Sequence, residues 1–157
     1  MDSRALLQHQ LSTSHQIVKQ CVNDIADGEA GRLPAPLLSP VIWQIGHLAV
    51  SNVNFIKRAG VTSGPELPER YTALFKSGTG GAAGYPPFAE VLRAFDDTHE
   101  ALMRVVAEAN LDTPTEGPRG MWKNFGEAFA FSSAHRWYHI GKINSLRALL
   151  GKPRIFG

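Results

Sequence analysis

The sequence predicts an all-α four-helix bundle, and three observations carry that prediction. Four stretches of roughly 20–26 residues repeat apolar residues at steps of three and four. None shows the sustained alternation of a half-buried strand. The breaks between them are rich in glycine and proline, which stop helices. At 157 residues and 43% hydrophobic, a single domain over residues 1–157 can bury a core without disulfides.

The first helix is expected over residues 2–27. Asp2 or Ser3 caps it, Leu7, Leu11, Ile17, Val18, Cys21, Val22 and Ile25 form its stripe, and Gly28 closes it. His15 lies at the border of that stripe and His9 further out, so neither is a first-choice ligand. Cys21 is the one cysteine in the chain, and on an apolar face it reads as a small core residue. The segment GEAGRLPAPLLSP is turn-rich. Ser39 then caps a second helix whose first turn contains Pro40, a position where a missing N–H costs nothing, and the helix runs to about Ala59 before Gly60. Along it Trp43, His47, Val50 and Asn54 form one line.

From Gly60 to Pro86 no periodicity is sustained, and the glycine-rich run SGTGGAAGYPP reads as a mobile loop. It lacks the Gly-Lys-Ser/Thr of a phosphate loop. A connection this long is either functional or a crossover that lets helices two and three run parallel. The third helix extends from Pro87 to about Ala109, with Phe88, Val91, Leu92, Phe95, Leu102, Met103 and Val106 as its buried side. Asp96 and His99 make a carboxylate-x-x-His step like that of di-iron bundles, but the carboxylates such centres need on the other helices are missing. His99 stays a candidate fourth ligand or supporting group. Met121 and Trp122, large apolar residues in a polar connection, are expected to fold over one end of the bundle.

The fourth helix is the best marked. Asn124 caps it, Glu127 stands three residues on as in a capping box, and Gly151 followed by Pro153 ends it. Phe131, His135, His139, Ile143 and Leu146 share one stripe, while Arg136, Lys142 and Arg147 fall off it. Side chains at i and i+4 have Cβ atoms roughly 5–6 Å apart, close enough for two imidazoles to hold one metal ion. With six histidines in the chain, about 0.2 such pairs arise by chance, so the pair needs support from elsewhere. Arg136 stands where a zinc-protease motif requires glutamate, which excludes that chemistry.

His47 on the second helix supplies the support. Three neutral imidazoles with an open fourth position are the ligand set of catalytic zinc, and they suit nickel or iron as well. A divalent ion held by His47, His135 and His139 lowers the pKa of bound water or of a bound thiol and polarises a carbonyl, with no acidic general base required. Trp43, Asn54, Trp137 and Tyr138 are candidates for lining or supporting the pocket. Each ligating histidine also needs a partner for its other ring nitrogen.

Charge excludes other classes. Sixteen basic against fourteen acidic residues leave +2, without a basic run, so nucleic acid is not an expected partner. No stretch approaches the ~20 apolar residues of a membrane span. The start, MDSRALLQHQ, has charges and glutamines where a signal peptide has an apolar run. The expectation is a cytoplasmic protein without membrane contact.

The segments WQIGHLA at 43–49 and HRWYHIGKINSLRALLG at 135–151 resemble the two signature segments of the DinB/YfiT-like superfamily of metalloenzymes. In that family a histidine on helix two joins a His-x-x-x-His pair on helix four, often followed by Gly-x-Ile and Leu-Arg. Here His47, His135, His139, Gly141, Ile143, Leu146 and Arg147 stand in those places. The resemblance covers nearly the whole chain and implies an up-down-down-up bundle, one divalent metal ion and a homodimer. It further implies a transferase or isomerase acting on a small-molecule substrate, with a low-molecular-weight thiol such as bacillithiol, mycothiol or glutathione as partner; water activated at the open position of the three-imidazole set would make a hydrolase instead. Two departures are specific to this chain: Tyr138 stands where many members have another histidine, and the glycine-rich loop is its own. The alternatives are a non-catalytic metal- or ligand-binding stress protein, whose site His99 would close, and a purely structural bundle.

Overall fold

Asp2 starts the first helix by accepting the Ala5 N–H at 2.8 Å, which satisfies one of the orphan donors of the first turn. In the computed structural model, which describes residues 2–33, 38–62 and 64–157, six α-helices follow one another: α1 Ser3–Val22, α2 Asp27–Ala30, α3 Val41–Arg58, α4 Glu69–Phe75, α5 Phe88–Glu108 and α6 Phe125–Leu149. No strand occurs among the described residues. Among the described residues no helix is long and apolar enough to cross a membrane. The four long helices form the bundle; α2 and α4 lie in its connections.

Cross-helix bonds give the directions. Arg136 donates to the Leu11 carbonyl and Arg147 to that of Cys21, so residue numbers rise together and α1 runs parallel to α6. Arg4 reaches the carbonyls of Val106 and Ala109 while Lys19 pairs with Asp96, so α5 opposes α1. Gln44 meets His139 and Asn52 meets Arg136, which sets α3 against α6. Since α3 and α5 therefore run the same way, the chain between them must travel back along the 18 residues of α3, about 27 Å at 1.5 Å per residue. That requirement accounts for the long connection.

Several boundaries depart from the sequence reading. The first helix ends at Val22 and not near residue 27. There the chain turns: the Asp24 carboxylate leaves to pair with Arg147, and Asp27 accepts the Phe88 N–H at 2.7 Å, which caps α5 from another segment. Ser39 does not cap α3; Pro40 occupies that position, and the Ser39 carbonyl instead accepts from Gln44. Residues 34–37 of the turn-rich segment lie outside the described residues. The largest departure is α4, inside the stretch read as structureless, where Tyr71 and Phe75 are fully buried. A seven-residue helix is too short for its periodicity to stand out from a loop. At α6 the reading holds, with Asn124 Oδ1 accepting the Glu127 N–H at 2.9 Å and Gly151 ending it at φ +76°. Trp122 packs against Phe55 and Phe131, whereas Met121 is exposed.

The core divides in two. One apolar cluster joins Val18, Cys21, Ile45, Leu48, Phe75, Val91, Phe95 and Ile143; the other joins Leu11, Phe55, Ile56, Leu102, Val106, Trp122 and Phe129. Between them, at intermediate positions along all four long helices, lies a buried polar layer of Ser14, Asn52, Thr98, His99 and Arg136. Arg136 and Arg147 fall off the apolar stripe in sequence, yet they are only 1% and 2% exposed. The reason is that α6 is covered on two faces, by α1 and by α3, and one apolar stripe cannot describe both. Arg147 is paired with the Asp24 carboxylate. Arg136 has no carboxylate partner among the described residues; it bonds Leu11 O, Asn52 Oδ1 and His99 Nδ1.

Candidate metal centre

His47 lies in the second turn of α3, and His135 and His139 lie one turn apart on α6. One ring nitrogen from each falls within 4.8 Å of those of the other two. His139 is buried and the other two are half-buried, so the group has an open side.

Bonds at the other ring nitrogen fix the tautomers of His47 and His139. His47 Nδ1 is 2.8 Å from the Phe75 carbonyl oxygen. A carbonyl only accepts, so Nδ1 carries the hydrogen and Nε2 keeps a bare lone pair. His139 Nδ1 is 2.6 Å from Gln44 Oε1, and the Gln44 amide is oriented by its own NH₂, which donates to Ser39 O at 3.1 Å. His139 Nε2 is therefore bare as well. It stands 3.0 Å from His135 Nε2, a separation at which two lone pairs repel unless a proton or a cation lies between them. In a tetrahedral site with metal–nitrogen bonds of about 2.0–2.1 Å, neighbouring ligand nitrogens are roughly 3.3 Å apart. The residues present fit a divalent ion.

The electrostatics agree with neutral imidazoles. Burial lowers His47, with Lys142 adding to the effect against the bond to Phe75. Burial, then His47 and Arg136, push His135 down to about 4. Burial, then His135, His47 and Lys142, push His139 down to about 2. Metal ligation needs the unprotonated ring, and these surroundings supply it. Among the described residues no carboxylate contributes to the shift of any of the three.

Three aromatic rings flank the group. Trp43 stacks on His47 at 4.7 Å, Phe131 on His135 at 6.0 Å, and Tyr138 meets His139 edge-on at 5.1 Å. Trp43 is itself held by its indole N–H, which donates to Thr79 Oγ1 at 3.0 Å. The glycine-rich stretch thus reaches the site through Thr79.

Four residues essential to this arrangement are missed by sequence reasoning: Gln44, Gly46, Phe75 and Thr79. Gly46 permits the closest approach. A Cβ at that position would lie 2.4 Å from Phe75 Cδ1, so glycine lets α4 come near enough for the Phe75 carbonyl to reach His47. The signal for Gln44 and Gly46 was their place between Trp43 and His47; for Phe75 and Thr79 nothing in the local pattern points to the site.

Of the remaining candidates, Trp43 and Tyr138 border the histidines. His99 does not: its ring stacks on His15 at 3.9 Å and its Nδ1 faces Arg136 at 3.2 Å. Asn54 is exposed and lines a separate cleft with Lys57, Thr62 and Glu66. Trp137 is also largely exposed. A cavity of about 650 Å³ lies between the end of α3, the segment after it and α5, and no histidine lines it. A smaller one of about 310 Å³ borders Gln44 and Tyr138, beside His139. Converging lone pairs, and not volume, identify the site.

No curated protein matches the chain. A family model described as the DinB superfamily matches residues 10–143, a span that takes in His47, His135 and His139 together with Gln44, Phe75 and the greater part of all four long helices. The chain belongs to the DinB superfamily.

Proposed function

We propose that this protein is a divalent-metal-dependent enzyme, a transferase, isomerase or hydrolase, that activates a low-molecular-weight thiol or water against a small electrophile. The ion is nickel, zinc or iron, held by His47, His135 and His139. The observation that carries this reading is the commitment of two Nδ1 atoms to oxygen acceptors, which leaves bare Nε2 atoms directed to one place. A divalent ion supplies Lewis acidity: it favours the deprotonated form of a ligand at its open position and polarises a carbonyl.

The protein's own residues do the rest. Phe75 O and Gln44 Oε1 hold the rings in the tautomer that ligation requires. Trp43 and Phe131 cover the group with apolar faces, and Tyr138, itself exposed, borders it edge-on. The absence of any carboxylate acting on the three rings leaves the site positively charged once an ion is bound, which favours an anionic fourth ligand such as a thiolate. The competing reading, a non-catalytic site closed by a fourth protein ligand, relied on His99, and His99 is engaged with Arg136 and His15.

The test is elemental analysis of protein purified without a histidine tag, beside thiol-dependent consumption of small electrophiles with and without chelator. Near-stoichiometric metal and chelator-sensitive turnover are expected. Absence of metal after reconstitution with nickel, zinc and iron would sink the reading; bound metal with no turnover of any thiol or ester would favour the binding protein.

A further inference from the structure

We propose that residues 75–80 form a clamp on the metal centre, with Thr79 and Gly80 as positioning residues. They orient His47 and His139 from outside the ligand set, so that closing the segment and binding the ion are coupled. The inference rests on the metal reading above and gives a role to the start of the glycine-rich stretch, which the three histidines leave unexplained.

One arm of the clamp holds His47. The Phe75 carbonyl accepts from His47 Nδ1 at 2.8 Å, and Trp43 stacks on the same ring at 4.7 Å. The Thr79 hydroxyl joins these two contacts. It accepts the Trp43 indole N–H at 3.0 Å and offers its own hydrogen to the Leu74 and Lys76 carbonyls, each at 2.6 Å, on either side of Phe75. One hydroxyl thereby supports both the stack on the imidazole face and the acceptor at its edge. Lys76, Ser77 and Gly78 are exposed, so the turn has little apolar burial and depends on these bonds to stay closed.

The other arm reaches His139. Gly80 packs on Ser39 so closely that a Cβ there would lie 1.8 Å from Ser39 Oγ and 2.6 Å from its Cβ. The Ser39 carbonyl accepts from the Gln44 side-chain amide at 3.1 Å, and Gln44 Oε1 accepts from His139 Nδ1 at 2.6 Å. A side chain at position 80 must push Ser39 aside, and with it the carbonyl that orients Gln44. His135 lies outside the clamp: its ring meets His47, His139 and Phe131. Both Nδ1 acceptors of the centre thus depend on one short segment. An ion that binds the closed segment more tightly than the open one must, by linkage, hold it closed.

The experiment uses zinc, which three imidazoles bind, and reads two quantities: affinity by competition with a chromophoric chelator, and backbone hydrogen exchange of residues 76–80 with and without the ion. Zinc is expected to slow that exchange in wild type. Thr79→Val keeps the volume but loses the hydroxyl and should weaken zinc about tenfold, the lower end for a lost ring partner; Thr79→Ser should restore the affinity. Gly80→Ala should weaken zinc by a similar factor, and adding Ser39→Gly, which removes the atoms the new methyl group strikes, should recover most of the loss. Gly81→Ala, one residue on, meets nothing within 4 Å and should bind as wild type does. Wild-type affinity in Thr79→Val or Gly80→Ala, an equal loss in Gly81→Ala, no recovery with Thr79→Ser or Ser39→Gly, or exchange indifferent to zinc would each overturn the clamp and leave the metal centre standing. No zinc uptake by wild type would overturn the metal reading and this inference together.

Discussion

The bundle contains two histidine clusters, and only one of them brings three ring nitrogens together as a group that could hold a metal ion. His47, His135 and His139 occupy the seam between α3 and α6; His15 and His99 occupy the seam between α1 and α5. Both sets lie at least half-buried, both have their pKa values pushed down by burial, and both make ring stacks. The difference is where the lone pairs go. At the first, oxygen acceptors take the Nδ1–H groups of His47 and His139, and His139 Nε2 is left facing only the ring nitrogen of His135. At the second, the Arg136 guanidinium donates to His99 Nδ1, which consumes that lone pair and places a fixed cation 3.2 Å from it. Proximity and burial make a histidine cluster; free lone pairs without a resident cation make a ligand set.

The strongest way to break this contrast is to delete one histidine from each cluster. His139→Ala is expected to abolish stoichiometric metal binding, because a site of two half-buried imidazoles lacks the ligand count of a stable centre. His99→Ala should lower stability while metal content stays near wild type, as read by elemental analysis of both proteins at matched purity. Loss of metal in His99→Ala alone would mean that the polar layer, and not the α3/α6 seam, is the centre.

Next in size is the partner of His139. Gln44→Leu keeps the volume roughly constant but removes the acceptor for Nδ1–H, and losing such a partner costs on the order of 10–100-fold in metal affinity. Competition with a chromophoric chelator would measure it. Affinity unchanged in the variant would show that packing by Tyr138 and Trp43 suffices to orient the ring.

A pair of glycines then separates fold from site. Gly46→Ala drives a methyl group into the Phe75 ring and should cost about 1–3 kcal/mol by overpacking, with weaker metal binding because the Phe75 carbonyl moves off His47. Gly141→Ala meets open space in a helix interior and should stabilise the protein by about 0.5–1 kcal/mol. Urea denaturation of the metal-free proteins distinguishes them, and equal stabilities would contradict the close α3–α4 contact.

These residues also show what the sequence could and could not reveal. The four long helices and the cap at Asn124 were legible because capping and periodicity are local. His47, His135 and His139 were legible through spacing on α6 and the matching segment on α3. Arg136 and Arg147 were not legible as buried, since a cation looks solvated until the carbonyls and carboxylate that receive it are known. Gln44 and Phe75 escaped for a related reason: what each does depends on an element far away in sequence, α6 for one and α3 for the other. α4 was hidden in a connection whose glycine content suggested a loop throughout.

The smallest expected effect concerns pH, and it tests the second cluster alone. His15 and His99 are each pushed from 6.5 down to about 3, chiefly by burial and then by Arg136. Lys19 lowers His15 further and Asp96 partly opposes the shift of His99. Their folded pKa values lie below the unfolded ones, so between about pH 6.5 and pH 3 the unfolded chain binds more protons. Stability from these groups is complete above that window and is lost as the pH falls through it. The stacked rings would share this titration, so the pair and not either ring alone sets the curve. His99→Gln keeps an acceptor for Arg136 while removing one titrating group, and in metal-free protein the contribution of the other three histidines is common to both samples. The variant should therefore lose stability less steeply with acid than wild type in parallel urea titrations. Equal slopes would mean that the His15–His99 stack opens before it is protonated, and that the two clusters differ less than their geometry indicates.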